Sequence, residues 1–325
     1  MVKLSEIARV SGFSIPVVSR VLSPNPHKGA RVADSTRSHI LAVARRMNYR
    51  PNRSAEFLKR GKNPIIGCFL PCSEDSLVGK LMRGIAEEAR RNNFPLAFYF
   101  DRTKKSYLEF IDQASQFRNC GIITYPYFKI DPEVEQVIAA YQSNGGKLVL
   151  IEGGSSSWQW NNCTAVSIDN YHGGRLAAEH LLLTRKARYF ITQEYSNIPE
   201  RTRGFVDSIE KHGGELRLIS SPGEIIQAVR SLRADPVGIF IPRDQDAINL
   251  LCQLQNKQLP VGEKILLIGY DNQYTSEFTF PGLTSVEQPF GEIGKLAIRK
   301  LIAKIYDKEA KSTLVKPKLI VRGSA

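Results

Sequence analysis

The sequence lacks any run of the roughly 18–20 uninterrupted apolar residues that a membrane-spanning helix requires. Its first stretch, MVKLSEIARVSG, carries Ser5, Glu6 and Arg9 among its apolar residues, so it has no continuous apolar segment of the kind found in secretory signals. These two absences argue against a membrane protein and against an exported one. We therefore expect a cytoplasmic protein.

Patterns for metal binding and for disulfide frameworks are also missing. The chain has five cysteines, an odd number, and five scattered histidines. Cys68 and Cys72 flank FLP, but no second cysteine pair and no histidine cluster completes a zinc site. The sequence predicts buried thiols in a reducing compartment, and no metal or other cofactor.

Common catalytic motifs are absent as well. GGR at 173–175 does not have the spacing of a Walker loop, and no GxGxxG follows the first predicted strand. GGSSS at 153–157 is a polar loop and not a GxSxG nucleophile elbow. We therefore expect that the protein is not an enzyme.

Acidic residues are scarce at the start of the chain. Residues 1–62 contain 13 Lys and Arg but only three acids, which gives +10 of the total net charge of +13. The rest of the 325-residue chain is nearly balanced, and its length allows two or three domains. A basic segment joined to a balanced body is typical of a module that binds a polyanion such as nucleic acid.

Residues 1–49 are predicted to form an all-α domain. LSEIARVSG offers Ser5 as an N-cap and ends near Gly12. DSTRSHILAVARRMN has a helical apolar face made of Ile40, Leu41, Ala44 and Met47. Two short helices joined by a glycine-containing turn and followed by a third helix make a helix-turn-helix unit.

The stretch SIPVVSRVL at 14–22 decides whether this unit exists. Its β-branched valines allow a strand, but nothing nearby offers a hairpin partner. A helix with Ser14 as N-cap places Pro16 in the first turn, where a missing backbone N–H costs little. The helix is therefore the favoured interpretation, with Val18, Val21 and Leu22 facing inward.

The outer face of this helix has the side chains that read a major groove. Ser14 can contact a phosphate, Ile15 and Pro16 can meet base edges through apolar contacts, and Arg20 can bind O6 and N7 of guanine. On pattern alone, three structural helices with a solvated basic face remain an alternative.

From Ile65 onward, strand-like and helix-like segments alternate, which predicts parallel sheets covered by helices on both faces. Residues 50–62 are the expected linker, and residues 63–325 the α/β body. Two successive runs suggest two lobes, one formed by about 63–161 with part of 290–325, the other by about 162–289. A ligand cleft is expected beyond the carboxyl ends of the strands.

These features resemble the LacI/GalR (lactose-repressor) family of bacterial transcription regulators over essentially the whole chain. The matching N-terminal blocks are LSEIARVSGFS, VSRVL, TR at 36–37 and NYRPN at 48–52. The matching blocks of the body are VSIDNYHGGRLAAEHLL, RTRGF, LIGYDN and PGLTSVEQP. The resemblance implies a multidomain protein, with a helix-turn-helix domain followed by a two-lobed domain similar to periplasmic binding proteins.

The resemblance also implies a set of DNA contacts. Ile15, Pro16 and Arg20 would contact bases, while residues nearer the DNA backbone would be Ser14, Ser19, Thr36, Tyr49 and Asn52. The linker would fold into a hinge helix on operator DNA, with Leu58 as a wedge in the minor groove and Ala55 beside it. Glu56 and Phe57 depart from the usual Arg-Ser pair, and Ala33 replaces a capping Ser or Thr, so that Asp34 is expected to take over the cap.

For the body, the resemblance implies a sugar-like effector bound between the lobes. The positions that match its pocket are Arg201, Asp271 and Glu152, although on the residues alone each could be a surface ion-pair partner. Arg243 stands where the family often has Asn, which hints at an acidic sugar derivative. The expected protein is a homodimeric regulator, by family habit a repressor, that binds double-stranded operator DNA; pairing of two dimers stays open. A solute-binding protein of the transport type is the alternative.

Overall fold

A computed structural model describes residues 2–23, 32–49, 57, 61–72, 76–128, 130–152, 163–193, 199–219, 221–231 and 236–325. The predicted contacts Asn52, Ala55 and Leu58, the connector after the second helix and the GGSSS loop lie outside these residues. Everything below refers to the described part of the chain.

Three helices form the N-terminal domain: α1 (Leu4–Ser11), α2 (Ile15–Val21) and α3 (Asp34–Arg46). They share one apolar core, whose fully buried members are Ile7, Val18 and Ile40. Gly12 ends α1 in the left-handed conformation at φ 74°, which suits a residue without a Cβ. The predicted helix-turn-helix arrangement is confirmed.

The stretch SIPVVSRVL is a helix, and the strand alternative is wrong. Ser14 has the extended conformation of an N-cap, and Pro16 lies in the first turn. Val18, Val21 and Leu22 are buried, as the helical spacing predicts. The proline therefore marks the start of this helix.

Two predicted caps are wrong. Helix α1 begins two residues earlier than expected, with Lys3 at the cap position, so Ser5 lies inside the first turn. Helix α3 is capped by Ala33, whose side chain has no oxygen to offer, and Asp34 is already the first helical residue. There its carboxylate favours the helix through the positive end of the dipole.

The body contains two six-stranded sheets. The first has the order β11-β5-β4-β3-β1-β2, and all its neighbouring strands are parallel. Its strands are β1 (Asn63–Leu70), β2 (Leu96–Phe100), β3 (Asn119–Thr124), β4 (Leu148–Glu152), β5 (Thr164–Ile168) and β11 (Thr313–Val315).

The second sheet has the order β12-β10-β9-β8-β6-β7, and only β12 runs antiparallel to its neighbour. Its strands are β6 (Tyr189–Thr192), β7 (Glu215–Leu218), β8 (Val237–Phe240), β9 (Ile265–Asp271), β10 (Thr284–Glu287) and β12 (Lys318–Ile320).

Helices cover both faces of each sheet. The first lobe uses α4 (Ser76–Arg91), α5 (Lys104–Gln116), α6 (Pro132–Ser143) and α11 (Phe290–Ile305). The second uses α7 (Asn170–Glu179), α8 (Pro199–Lys211), α9 (Pro222–Ser231) and α10 (Asp244–Asn256). A π-helical turn, His180–Thr184, continues α7, and a 3₁₀ turn, Tyr274–Glu277, follows β9. No described helix is both long and apolar enough to cross a membrane.

The chain passes between the lobes three times, at Asp169, at 288–289 and at 316–317. The expected start of the second lobe at residue 162 is therefore too early. Strand β5 pairs with β4 and β11, because its buried residues complete the first core before the chain crosses. The final strand β12 belongs to the second lobe.

Candidate functional sites

The predicted DNA-contacting residues of α2 and its N-cap lie on the outer face of the helix. Ser14, Ile15, Pro16, Ser19 and Arg20 are all exposed. Ile15 leaves 49% of its surface in solvent, although it begins a helix whose other face is fully packed. An apolar tip with one arginine behind it presents the chemistry that reads thymine methyls and guanine.

Two further predicted contacts are half-buried. Thr36 lies in the first turn of α3. Tyr49 packs against the core of the N-terminal domain, its backbone N–H donates to the carbonyl of Ala44, and burial raises the pKa of its phenol. Both side chains keep an accessible part on the domain surface, so contact with a DNA backbone stays a prediction for each.

In the second lobe, the structure brings Arg201 and Asp271 together. Nη1 of Arg201 lies 3.0 Å from Oδ1 of Asp271, and both side chains are more than nine-tenths buried. Arg201 comes from α8, whereas Asp271 ends β9, at the edge where a parallel sheet binds its ligands. The two predicted pocket residues therefore form one buried ion pair.

Neighbouring groups hold the arginine in place. Nε of Arg201 donates to Oδ1 of Asn170 at 3.1 Å, and Nη1 donates to the carbonyl of Pro242 at 2.6 Å. The guanidinium carbon lies 3.9 Å from the ring centroid of Tyr270, so a cation–π contact adds to the ion pair. The guanidinium is therefore held from several sides by groups of the second lobe.

Asp271 also contacts the crossing between the lobes. Its Oδ1 accepts a hydrogen bond from the amide of Gln288, which lies at the second crossing of the chain. Its backbone has φ 112°, and Asn272 follows at φ 46°. A non-glycine residue at such angles is strained, and strain of this kind concentrates at ligand-binding and switch positions.

Sequence reasoning missed Asp244, the first residue of α10. This fully buried carboxylate accepts hydrogen bonds from the hydroxyls of Ser276 and Ser285 and from the backbone N–H of Gln273. Burial raises the pKa of Asp244 despite these bonds. Its position shortly after β8 was the available signal. The residue ties together the loop that follows Asp271.

Arg243 and Glu152 are the other two residues predicted for the pocket. Arg243 is exposed at the N-cap of α10, and its Nε lies 3.8 Å from a carboxylate oxygen of Asp246. The positive charge of Arg243 is thus partly neutralised by Asp246 of the same helix. Glu152 is the last residue of β4, beside Ser167 of β5. Its backbone stands at the carboxyl edge of the first sheet, and its role in a pocket stays a prediction.

The first lobe adds a pair that the sequence did not single out. Arg102 follows β2, and its guanidinium carbon lies 4.9 Å from the ring centroid of Tyr127, which follows β3. Tyr127 is half exposed. A polar residue just after a strand was the only sequence signal. Across the described residues, no group of three or more His, Cys, Asp or Glu is placed to hold a metal ion.

Comparisons with known proteins match both parts of the chain. Residues 3–52 match the family model "Bacterial regulatory proteins, lacI family", and residues 164–325 match "Periplasmic binding protein-like domain". The ribose operon repressor of Bacillus subtilis is 25% identical, over 97% of this chain and 95% of that protein. Catabolite control protein A of Priestia megaterium is 26% identical, over 95% and 93%.

Solved structures share the fold along the whole chain. A complex of the transcriptional regulator CelR with cellobiose superposes with a TM-score of 0.66 at 20% identity and covers 100% of both chains. A lac repressor dimer bound to operator and the anti-inducer ONPF gives 0.66 at 18% identity, over 99% and 98%.

Proposed function

The chain belongs to the lacI family of bacterial regulatory proteins, and from this premise we propose that it represses transcription as a homodimer whose operator affinity is set by a small effector. The observation that carries the proposal is the exposed face of α2. Five side chains along that helix and at its N-cap lie open to solvent, while its opposite face is packed into a core. This is the arrangement by which a recognition helix enters a major groove.

The proposed reading of DNA divides into two contributions. The excess of Lys and Arg in residues 1–62 supplies phosphate contacts that do not depend on sequence. Arg20 supplies a bidentate contact to guanine, and Ile15 with Pro16 supplies apolar contacts to thymine methyls. The wedge at Leu58 and the small residue Ala55 beside it remain part of this proposal through the family resemblance.

The proposed effector is a sugar or a sugar derivative. The Arg201–Asp271 pair offers a donor and an acceptor side by side, as vicinal hydroxyls require. Relatives named as ribose and sucrose operon repressors, and the regulator solved with cellobiose, support this class of ligand. Glu152 and Arg243 would line the same cleft, and Arg243 would favour an acidic derivative.

The proposed dimer has a candidate contact surface in the second lobe. Tyr274, Phe278 and Phe280 expose 70%, 66% and 89% of their surfaces on one loop after β9. The carbonyl of Phe280 accepts a hydrogen bond from Gln255 of α10, so the loop is held against that helix. An exposed aromatic patch of this kind marks an interaction surface, and the occupant we propose is a second copy of the chain.

The test begins with the full-length protein and random duplex DNA. In vitro selection should yield a palindromic site, as expected for two related subunits. Affinity for that site should fall by about 10³-fold or more between 50 and 200 mM salt, the range for about 6–10 phosphate contacts. A protein that enriches no sequence and shows no salt-dependent DNA binding would contradict the proposal.

A thermal-shift screen then tests the effector. Neutral sugars, sugar acids, phosphosugars and nucleosides should include a compound that raises the melting temperature and changes affinity for the selected DNA. Ligand binding without any DNA binding would favour the alternative, a transport-type solute-binding protein. Turnover of a ligand in the same panel would instead point to an enzyme. A DNA-bound regulator would work in the cytoplasm.

A further inference from the structure

Phe57 is the one described residue between 50 and 60, and it is buried in the core of the first lobe. It exposes only 2% of its surface, and its ring meets that of Phe94 edge to face with the centroids 5.9 Å apart. Its carbonyl accepts a hydrogen bond from the backbone N–H of Lys62 at 2.9 Å. Phe57 is therefore fastened to the first lobe, and it is the neighbour in sequence of the predicted wedge position, Leu58.

Helix α4 connects this anchor with the other end of the lobe. Phe94 follows the helix by three residues, at the edge where β1 begins. Near the opposite end of α4, Nζ of Lys80 donates to the backbone carbonyl of Asn272 in the second lobe at 3.1 Å. The helix has 16 residues and is thus about 24 Å long. The turn after the helix thus contacts Phe57, and the first part of the helix contacts the second lobe.

Asn272 is firmly held and directly follows Asp271. Its backbone N–H donates to Oγ of Ser285 at 3.0 Å, and its side chain bonds to Glu287 and Arg322. A shift of Asp271 when a ligand binds would therefore carry the carbonyl of Asn272, and with it the contact to Lys80.

Helix α4 is also packed to move as one body with α11. A Cβ placed on Gly84 would lie 2.0 Å from the carbonyl oxygen of Gly291, so the two helix backbones touch at this point. Close-packed helices transmit a displacement instead of absorbing it, because interiors have little compressibility.

We infer that Phe57 and Lys80 are positioning residues at the two ends of α4, which pass the relative position of the lobes to the linker. Phe57 fixes one residue of the linker on the first lobe, which lowers the conformational entropy that DNA binding must remove. Lys80 ties α4 to the turn at Asp271 and Asn272. The inference rests on the proposed function, because its readout is binding of the selected DNA.

The first test compares substitutions of Phe57 in the full-length protein. Phe57→Ser should weaken binding to the selected duplex about tenfold, which corresponds to about 1.4 kcal/mol. Phe57→Leu, which refills the cavity, should remain within about threefold of wild type. The bend of the duplex, followed by energy transfer between its labelled ends, should decrease with Phe57→Ser.

Phe110→Leu is the matched control. Phe110 is equally buried in the first lobe but packs on Phe69 and Tyr99 in the cluster formed with α5 and α6. Its substitution should lower the melting temperature without changing DNA affinity. If Phe57→Ser also lowered only the melting temperature, Phe57 would be a core residue of the lobe and the inference would be overturned.

A double-mutant cycle tests the connection between the two ends. Lys80→Met should weaken DNA binding about threefold in the wild-type background and should have no effect in the Phe57→Ser background. Unconnected sites this far apart would give independent, multiplicative effects. The same threefold loss in both backgrounds would refute the link through α4. A wild-type protein that binds no DNA would instead refute the proposed function.

Discussion

Ile15 and Pro16 give α2, the proposed recognition helix, an apolar tip. Neither side chain can donate a hydrogen bond, and both are exposed in the first turn of α2. Ile15 leaves 49% of its surface in solvent in the folded domain, so contact with an apolar partner surface would bury more of it. The thymine methyl is the apolar group that a major groove offers. We therefore expect the preferred DNA site to have thymine at the base pair that Ile15 and Pro16 contact, and guanine at the base pair that Arg20 contacts.

Replacing Arg20 with alanine should remove the preference for its guanine. Loss of one bidentate contact costs about 1–3 kcal/mol at that base pair. The check is fluorescence anisotropy with the selected duplex and with a duplex that carries a substitution at the guanine. Arg46→Ala, an exposed arginine in the last turn of α3, is the control and should weaken both duplexes equally. An unchanged ratio of the two affinities in Arg20→Ala would contradict the assignment.

Replacing Arg201 with methionine should destabilise the second lobe and abolish the effector response. The substitution leaves Asp271 buried without its cation, which costs about 3–5 kcal/mol. Urea unfolding measures the loss, and the thermal shift with the effector identified in the screen measures binding. Arg243→Met, at an exposed ion pair, should change stability by no more than about 0.5 kcal/mol. Equal effects of the two substitutions would show that Arg201 is not the central pocket cation.

At the scale of secondary-structure elements, the contact of α4 with α11 is held by Glu88. This residue exposes 7% of its surface, and Oε2 accepts a hydrogen bond from Nη2 of Arg299 at 3.1 Å. That bond holds the pKa of Glu88 below its ordinary value, against the opposing effect of burial. The carboxylate thus stabilises the folded state only while it is ionised.

Glu88→Gln should therefore lower stability in a pH-dependent way. At pH 7 the expected loss is about 1 kcal/mol, because Arg299 is half exposed and solvent screens the pair. The contribution of a depressed pKa is complete above the unfolded value and disappears as the pH falls through the folded value. Urea unfolding at several pH values should show the variant and wild type converging below about pH 4. A difference independent of pH would mean that packing, not charge, dominates at this position.

The sequence predicted elements better than it predicted their ends and their partners. Pro16 and the valines identified α2, because a proline in a first turn and an inward apolar face are local properties. The predicted cap at Ser5 was misplaced by two residues and that at Asp34 by one, since tertiary packing selects among nearby helix starts. Strand β5 was placed in the wrong lobe, because its β-α context is the same on both sides of a crossing.

In the candidate site, too, the sequence identified residues but could not predict most of their contacts. The resemblance identified Arg201 and Asp271, and the structure joins them across 70 residues of sequence. No local pattern could pair Asp271 with Gln288, or Asp244 with two serines, because these contacts depend on where distant loops meet. Phe57 was noted as a departure from the hinge pattern, but only packing reveals that it lies in the lobe core.

On the scale of the whole molecule, the aromatic loop should hold two copies together. Replacing Phe278 and Phe280 with serine removes two exposed aromatic rings and should not unfold the lobe, since neither ring is buried. We expect sedimentation equilibrium to show a dimer for wild type and a shift toward monomer for the variant. DNA affinity should fall by about tenfold or more, because each subunit contacts only one half-site. Phe117→Ser, at another exposed ring, is the control. A variant that remained dimeric would exclude this surface.

The three crossings also determine when each part of the protein can work during its synthesis. Helices α1 to α3 use only residues before 50 and can fold soon after leaving the ribosome. The first sheet lacks its edge strand until residues 313–315 are made, and the second sheet until 318–320. At about 5–20 residues per second, that interval lasts some tens of seconds. A nascent chain would therefore carry a folded N-terminal domain, the proposed DNA reader, well before it could sense the proposed effector.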